Sequence, residues 1–105
     1  MTQHQSERQF QAAVVEYARL MNWAVLATWS SRHSPAGEPD LRLIRPPRVI
    51  FAELKTESGP VRESQWVILG LLKACPGVET FLWRPSDWPE IERVLAAQPA
   101  ARRGG

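Results

Sequence analysis

The pair of adjacent prolines Pro46-Pro47 most constrains how this chain can fold, because it marks a short turn between two strand-like segments. If Arg45 faces Arg48 across a symmetric turn, the residue numbers of every opposed pair sum to 93. The same register places Asp40 directly opposite Glu53. Carboxylates with Cβ atoms about 5 Å apart destabilise a sheet unless a positive charge neutralises them. We therefore expect this hairpin to hold a divalent cation.

A lysine follows the acidic pair at strand spacing. Lys55 lies two residues after Glu53, so its ammonium group projects from the same face of the strand. The preceding residues 49–52 are all apolar, which predicts a strand covered on both faces. Charged groups at the end of such a strand are costly unless they are paired or functional. The structural alternatives are Asp40 as a turn cap and Glu53 with Lys55 as an exposed ion pair, but the joint placement favours a metal site.

The composition is that of one globular domain, with 105 residues, 44% hydrophobic and 23% charged. Cys75 is the only cysteine, so an internal disulfide is excluded and a zinc cluster is not expected. No apolar stretch reaches the length of a membrane span, and the polar start of the chain lacks the apolar segment of a signal peptide. We therefore predict a cytoplasmic protein with no membrane partner and no organic cofactor.

The distribution of charge is more informative than the net charge of +2, which equals the contribution of Arg102 and Arg103 alone. If a metal offsets Asp40 and Glu53, residues 30–62 become electropositive, as a phosphate-binding surface requires. The alternative is a solvated face of mixed charge. The basic residues of this segment are Arg32, Arg42, Arg45, Arg48, Lys55 and Arg62.

Periodicity and turn residues predict an alternation of helices and strands. Ser6 and Gln9 form a capping box at the start of an amphipathic helix over residues 6–21. The strand at 23–29 is continuously apolar and is expected to be buried, and the loop at 30–37 brings Arg32 and His33 to the next strand. The remaining elements are strands at 39–44, 49–52 and 78–83, a helix at 61–75 and a final helix from Trp88. This order indicates a compact α/β layer architecture.

Two further polar side chains lie on apolar helix faces. Glu7 shares the stripe of Phe10 and Val14, where it either joins the acidic site or simply favours the helix dipole. Gln65 shares a face with Leu69, where its amide either supports the site or satisfies a neighbouring backbone group. Neither residue decides the function by itself.

Histidines and tryptophans are weaker indicators. His4 and His33 are too isolated for a metal centre, and His33 is expected to contact phosphate from its loop. The tryptophans lie at element ends or on core stripes, so core packing is favoured over stacking on bases. They are Trp23, Trp29, Trp66, Trp83 and Trp88.

These residues resemble the signature of the PD-(D/E)xK nuclease superfamily, in which Pro-Asp is followed after a spacer by Glu-x-Lys. Here the signature is Pro39-Asp40 and Glu53-Leu54-Lys55. The wider pattern is similar to the VRR-NUC branch of that superfamily over residues 6–95. Its parts are Ser6-Glu7, Asn22-Trp23, the Ser-Arg-His-Ser loop, Gly37-Glu38-Pro39-Asp40-Leu41, Glu53-Leu54-Lys55-Thr56, Gln65 and Leu82-Trp83-Arg84-Pro85.

The resemblance implies a restriction-endonuclease-like core, with a central mixed four-stranded sheet flanked by helices in the order α-β-β-β-α-β-α. It implies that Asp40, Glu53 and the backbone carbonyl of Leu54 bind Mg²⁺ or Mn²⁺. Lys55 would orient or activate the attacking water. Gln65 would support the site from the following helix.

The resemblance also implies a function and a partner. Glu7 would complete the acidic cluster directly or through water, and Arg32, His33 and Arg62 would contact DNA. The expected activity is metal-dependent endonuclease cleavage of branched, flapped or four-way junction DNA in phage replication or repair, in the host cytoplasm. Stand-alone members of this size resemble homodimers.

The expected organisation is one nuclease domain over residues 6–97, with flexible segments at 1–5 and 98–105. Two departures from the family pattern stand out. Arg62 occupies the place of a small hydroxyl residue that would cap the following helix, and Glu38 adds a third acid beside Asp40. The alternatives are a catalytically inactive nucleic-acid-binding module of the same fold and a protein-interaction domain whose acid pair is structural.

Overall fold

The computed structural model of the protein describes residues 5–28 and 36–98. Within those ranges the order of helices and strands agrees with the sequence-based prediction. The elements are α1 (Glu7–Leu20), β1 (Ala24–Ala27), β2 (Leu41–Arg45), β3 (Arg48–Leu54), α2 (Glu63–Lys73), β4 (Glu79–Trp83), a 3-10 helix (Pro85–Asp87) and α3 (Trp88–Ala96).

The four strands form one mixed sheet in the order β1-β2-β3-β4. The β1–β2 and β2–β3 pairs are antiparallel, and β3 pairs with β4 in parallel. Arg45 lies opposite Arg48 and Leu41 opposite Ala52, so the hairpin has the register in which paired numbers sum to 93. The protein is therefore a small α/β domain with the predicted hairpin at its centre.

The two faces of the sheet are covered by different helices. Ile50, Ala52 and Leu54 of β3 are fully buried in the main core, together with residues of α1 and α3. Glu53 alternates with these residues, so it points to the opposite face, where Gln65 of α2 contacts it. The charged end of β3 is therefore enclosed between the sheet and α2.

The first helix begins and ends as the sequence predicts. The Ser6 hydroxyl accepts a hydrogen bond from the Gln9 backbone N–H at 3.0 Å, and the Gln9 side chain accepts one from the Ser6 N–H at 2.9 Å. Beyond the helix, Asn22 has a φ of 72°, in the left-handed region that Asn tolerates. This turn directs the chain into β1.

The prediction that the first strand is buried is wrong. β1 is an edge strand, and its burial alternates along the four residues. Val25 and Ala27 pack against the core, whereas 47% of Leu26 is exposed on the other face. A run of apolar residues indicates a strand but does not indicate whether a helix covers its second face.

The tryptophans divide between the interior and the surface. Trp23 and Trp83 are buried and Trp88 packs against the core, as expected. Trp66 is 54% exposed on α2, so core packing was the wrong prediction for this residue. Trp29 lies outside the described residues.

Two arginines at the hairpin turn bind the end of α3. Arg45 donates to the carbonyls of Leu95 and Ala97, and Arg48 donates to Ala97 at 2.7 Å and to Val94 at 3.0 Å. These carbonyls lie at the C-terminal end of α3, where positive charge is favourable. Both guanidinium groups also lie over the ring of Trp23, at 4.7 Å and 4.9 Å.

The expectation that the basic residues of 30–62 form one phosphate-binding surface is therefore wrong for Arg45 and Arg48. Arg48 forms a two-pronged ion pair with Glu79, with both N–O distances at 2.6 Å. Arg42 lies 4.0 Å from Glu38. Of the described basic residues predicted for this surface, Lys55 lies 3.7 Å from Glu53, and Arg62 is close enough to Glu7 to lower its pKa.

The described helices include none that is long and apolar enough to cross a membrane. All the secondary structure in the described ranges falls between Glu7 and Ala96, inside the predicted 6–97 domain. Residues 1–4 and 99–105, which make up most of the two segments predicted to be flexible, lie outside the described residues.

We expect Arg48→Met to lower the free energy of unfolding by roughly 1–3 kcal/mol, because it leaves Glu79 and the end of α3 without their charged partner. The matched control is Arg42→Met, whose side chain is 43% exposed and has only a 4.0 Å ion pair. We expect the control to change stability by less than about 0.5 kcal/mol. Urea denaturation of both variants checks this, and equal losses would contradict the role assigned to Arg48.

Candidate functional site

The predicted carboxylate pair forms at the open end of the β2–β3 hairpin. Asp40 immediately precedes β2, and its Oδ2 accepts a hydrogen bond from the Leu54 N–H at 2.8 Å. Glu53 is the penultimate residue of β3, and only 2% of its side chain is exposed. One carboxylate is thus held at the strand end and the other is enclosed beneath α2.

The pair is electrostatically strained without a cation. Burial, followed by the charge of Asp40, raises the pKa of Glu53 to about 8. Burial also raises the pKa of Asp40, although hydrogen bonds from the Leu54 N–H and from Glu53 oppose that shift. Glu53 therefore retains its proton at neutral pH, which relieves the repulsion between the two carboxyl groups.

Lys55 lies on the same face as the pair, as predicted. Its Nζ is 3.7 Å from Glu53 Oε2, and its side chain is only 11% exposed. The charge of Lys55 lowers the pKa of Glu53, but burial and Asp40 outweigh it. The alternative of an exposed ion pair at a strand end therefore does not apply, because both partners are buried.

Gln65 fulfils both of the roles considered for it. Its Nε2 donates to Glu53 Oε2 at 2.6 Å, and its Oε1 accepts a hydrogen bond from the Arg62 N–H at 2.8 Å. The Arg62 side chain makes no capping bond, yet α2 begins directly after it at Glu63. The Gln65 amide thus supplies one half of a capping box, the bond to the N-cap backbone N–H, and it also positions a buried carboxylate.

Glu7 interacts electrostatically with the charged groups of the site but is not part of the carboxylate pair. Burial and the charge of Asp40 raise the pKa of Glu7, and the charges of Lys55 and Arg62 lower it. Within residues 5–28 and 36–98, however, no three His, Cys, Asp or Glu side chains are grouped closely enough to hold a metal ion. The three carboxylates of Glu7, Asp40 and Glu53 therefore do not form a common ligand set in this conformation.

Two oxygen atoms of the site are candidates for binding a cation. Glu53 Oε1 is buried and has no hydrogen-bond partner. Pro39 lies opposite Leu54 in the hairpin register and has no N–H, so it cannot donate to the Leu54 carbonyl. Because the N–H and C=O groups of one strand residue face the same neighbouring strand, that carbonyl faces the Asp40 side. Two carboxylates, a carbonyl and several waters form a donor set that suits Mg²⁺ or Mn²⁺.

Gln11 is a supporting residue that the sequence analysis missed. It is 4% exposed, and its Nε2 donates to the Thr28 carbonyl at 3.2 Å. The Thr28 N–H in turn donates to the Asp40 carbonyl at 2.8 Å. Gln11 lies four residues after Glu7 and three before Val14, so its place on the inward face of α1 was visible as a signal in the sequence.

Arg84 is a second supporting residue without a predicted role. Its Nη1 donates to the carbonyls of Thr56 at 2.7 Å, Gly59 at 2.9 Å and Glu57 at 3.2 Å. These carbonyls belong to the loop that directly follows Lys55. Arg84 therefore fixes the backbone at the end of β3, while the Lys55 N–H donates to Trp83 at 3.0 Å.

Gly37 allows the segment before Asp40 to approach α2. Its φ is +86°, and a Cβ atom at this position would lie 2.4 Å from the Ser64 carbonyl oxygen and 2.9 Å from Ile68 Cγ1. Only glycine fits both the backbone conformation and the close contact. Glu38, the additional acid of this segment, lies 4.0 Å from Arg42.

The predicted DNA-contacting residues are only partly described. Arg62 is exposed at the start of α2, next to the site, whereas Arg32 and His33 lie outside the described residues, as does His4. No protein-family model, curated protein or solved structure matches the chain. A functional proposal therefore depends on the chemistry of the side chains that converge at the hairpin.

We expect the free energy of unfolding in EDTA to fall as pH rises from about 4.5 to about 8, because folded Glu53 retains a proton that the unfolded chain releases. Asp40 and Glu7, whose pKa values are also raised, add to this fall. Glu53→Gln removes the largest contribution to this fall, so the free energy of unfolding of the variant should depend less on pH. At pH 8 it should exceed the free energy of unfolding of the wild type by roughly 1–3 kcal/mol.

Urea denaturation at a series of pH values measures this difference. The matched control is Glu57→Gln, since the Glu57 carboxyl is exposed and its hydrogen bonds to Ser86 lower its pKa. Its titration lies below the window of pH 4.5–8, so the control should keep the slope of the wild type. A Glu53→Gln profile as steep as that of the wild type would contradict the raised pKa of Glu53.

Proposed function

We propose that the protein is a divalent-metal-dependent endonuclease that hydrolyses DNA phosphodiester bonds, with a restriction-endonuclease-like core of the VRR-NUC type. The observation that supports this function most directly is the pairing of the half-buried Asp40 with the buried Glu53, with Lys55 3.7 Å from Glu53 and one Glu53 oxygen without a partner. Burying these charges is costly unless they serve a ligand. The mixed sheet and the helix order are compatible with the proposed core.

Mg²⁺ or Mn²⁺ is the proposed cofactor, held by Asp40, Glu53 and the Leu54 carbonyl, with Glu7 contributing through water. When bound, the ion supplies positive charge that polarises the scissile phosphate. Two protein carboxylates are sufficient for Mg²⁺, which keeps several of its waters. Binding requires that Glu53 release its proton, so affinity for the ion should increase with pH.

The side chains around the ion have separate tasks. Gln65 fixes the rotamer of Glu53 through its 2.6 Å hydrogen bond, which leaves Glu53 Oε1 free. The Lys55 ammonium group lies beside the pair and orients the attacking water or stabilises charge on the phosphate. The reaction is one in-line displacement by water, with no covalent bond between enzyme and DNA.

The proposed substrate is DNA, with branched, flapped or four-way junction structures as the preferred class. Arg62 is exposed at the start of α2 and lies close enough to Glu7 to lower the pKa of that carboxyl. In this position it is suited to contact a phosphate next to the scissile bond. Arg45 and Arg48 are excluded from that role, because both bind the end of α3.

We expect the purified protein to cut plasmid and branched DNA with Mn²⁺ or Mg²⁺ and to stop in EDTA. Lys55→Ala and Asp40→Asn should each lower the cleavage rate by a factor of 10² or more, in the range of a lost electrostatic group. The matched controls are Lys73→Ala, at the far end of α2, and Glu38→Gln, beside Arg42.

Gel assays with fluorescent junction, flap and duplex substrates measure these rates. Wild-type cleavage that Lys55→Ala leaves unchanged would contradict the proposed mechanism. Metal-dependent binding of junction DNA without any product would instead identify an inactive binding module.

We expect Mn²⁺ to raise the melting temperature of the wild type by several degrees at pH 8, because it binds only the folded hairpin. Asp40→Asn and Glu53→Gln should lose this increase, whereas Glu38→Gln should keep it. Differential scanning fluorimetry with Mn²⁺ and with EDTA measures the shift without DNA. A wild type whose melting temperature does not rise with Mn²⁺ would favour a structural role for the acid pair.

A further inference from the structure

Trp66 differs from the other tryptophans of the described chain in its exposure. Trp23 and Trp83 are buried and Trp88 packs against the core, whereas 54% of Trp66 is exposed on α2. A large planar ring at the surface has one face free for a second planar group. Where such a ring lies next to positive charge, proteins use it to stack on the unpaired bases of a single strand.

Arg62 supplies positive charge one helical turn before Trp66. The Trp66 N–H donates to the Arg62 carbonyl at 3.1 Å, which is the bond between residues four apart in a helix. Side chains at this spacing are neighbours, and long side chains point back toward the preceding turn. The Arg62 side chain is exposed, and no described residue forms a salt bridge with it. We refer to Arg62 and Trp66 together as the α2 basic-aromatic patch.

The patch is separate from the other exposed apolar side chains of α2. Trp66 lies roughly 40° around the helix from Arg62, but roughly 140° from Leu71. The ring is thus grouped with a cation and not with the leucine. This grouping favours a partner that combines negative charge with planar rings, which is the chemistry of a nucleic-acid strand. Glu63 is an exposed carboxylate beside the patch and opposes a phosphate there, so Glu63→Gln should tighten binding.

Gly70 leaves the ring uncovered on the side away from Arg62. It lies four residues after Trp66, so a long side chain at this position would point back over the indole. A Cβ atom at Gly70 would have nothing within 4 Å, so packing within the described part of the domain does not require glycine here. Glycine inside a helix is unfavourable relative to alanine. The space beside the indole is therefore open to a planar group.

The position of the patch relative to the acidic pair is fixed by one amide. Gln65 Oε1 accepts a hydrogen bond from the Arg62 N–H at 2.8 Å, and its Nε2 donates to Glu53 Oε2 at 2.6 Å. Trp66 follows Gln65 directly in the chain. A strand with one phosphate at the acidic pair would therefore reach Arg62 next, and then Trp66 about 6 Å further along α2.

We propose that Trp66 stacks on an unpaired base of the DNA strand that enters the acidic site, while Arg62 binds a phosphate of that strand. Bases inside a duplex are stacked on each other, so a single-stranded arm is needed to occupy the patch. The identity of the strand rests on the proposed nuclease function. The inference narrows the substrate to DNA with a single-stranded arm at the cleaved bond. The contact itself requires neither metal nor cleavage.

Fluorescence anisotropy in EDTA at low salt tests the contact, with the full chain and a labelled DNA strand of about 12 nucleotides. Trp66→Ala should weaken binding of this strand by about fivefold or more, and binding of a duplex of equal length by less than about twofold. Trp66→Phe keeps an aromatic face and should recover most of the affinity. The matched control is Leu71→Ala, which removes a 62% exposed side chain from another side of α2 and should change neither affinity.

A strand of equal length built from abasic nucleotides separates stacking from charge. It keeps the phosphates and lacks the bases, so Trp66→Ala and the wild type should bind it equally. Arg62→Ala should weaken binding of the normal and the abasic strand alike, because a phosphate contact does not depend on the base. Gly70→Leu should weaken binding of the normal strand alone, because the new side chain covers the ring.

Three outcomes would overturn the proposal. They are a Trp66→Ala variant that binds the normal strand like the wild type, one that loses equal affinity for the duplex, and one whose loss persists on the abasic strand. Because these measurements contain no metal, they are independent of cleavage. A chain that shows the stacking contact but never cuts DNA contradicts the nuclease function alone. A chain that cuts DNA but binds single strands independently of Trp66 contradicts this inference alone.

Discussion

The hydrogen bond from the Leu54 N–H to the Asp40 carboxylate joins the two strand ends on which the candidate site is built. In the hairpin register Leu54 faces Pro39. Because proline has no N–H, it cannot donate to the Leu54 carbonyl, and the regular exchange of two hydrogen bonds between opposed residues stops here. A carboxylate takes the place of a backbone acceptor and is held beside Glu53 as a result. The position of the acid pair thus follows from the place where the β2–β3 pairing ends. Glu53 Oε1 is left buried without a hydrogen-bond partner.

The charged residues of the hairpin separate into two groups with different functions. At the turn, Arg45 and Arg48 neutralise the C-terminal carbonyls of α3 and the carboxylate of Glu79. At the open end, Glu53 and Lys55 are buried beside the half-buried Asp40, and the pair of carboxyl groups carries excess negative charge once Glu53 loses its proton. Compensated charge at the turn stabilises the packing of α3 on the sheet. Uncompensated charge at the open end destabilises the fold above the pKa of Glu53.

Local rules explain which features the sequence predicts. The register follows from a short symmetric turn, and the start of α1 follows from Ser6 and Gln9, because these interactions join residues close in the chain. The fate of Arg48 depends on Glu79, 31 residues away, and on the end of α3, so its charge alone suggested a phosphate-binding surface. The exposure of β1 depends on its place at the edge of the sheet, which its apolar sequence does not encode. Trp66 was expected inside because tryptophans at element ends or on core stripes usually pack in the core, but helix α2 exposes this residue. The structure brings Asp40, Glu53, Lys55 and Gln65 together as predicted. Gln11 and Arg84 were missed because they bind backbone carbonyls, and such bonds do not require a recognisable sequence motif.

Helix α2 connects the site to the surface of the molecule. Its intrinsic stability is lowered in two ways, because Arg62 provides no side-chain cap and Gly70 lies in the interior of the helix. The Gln65 amide, the close contact with Gly37 and the burial of Leu69 hold it in place. The same amide bonds to Glu53, so any fraying of the first turn of α2 would release the buried carboxylate. Order in the first turn of α2 and the position of the buried carboxylate are therefore coupled through one glutamine.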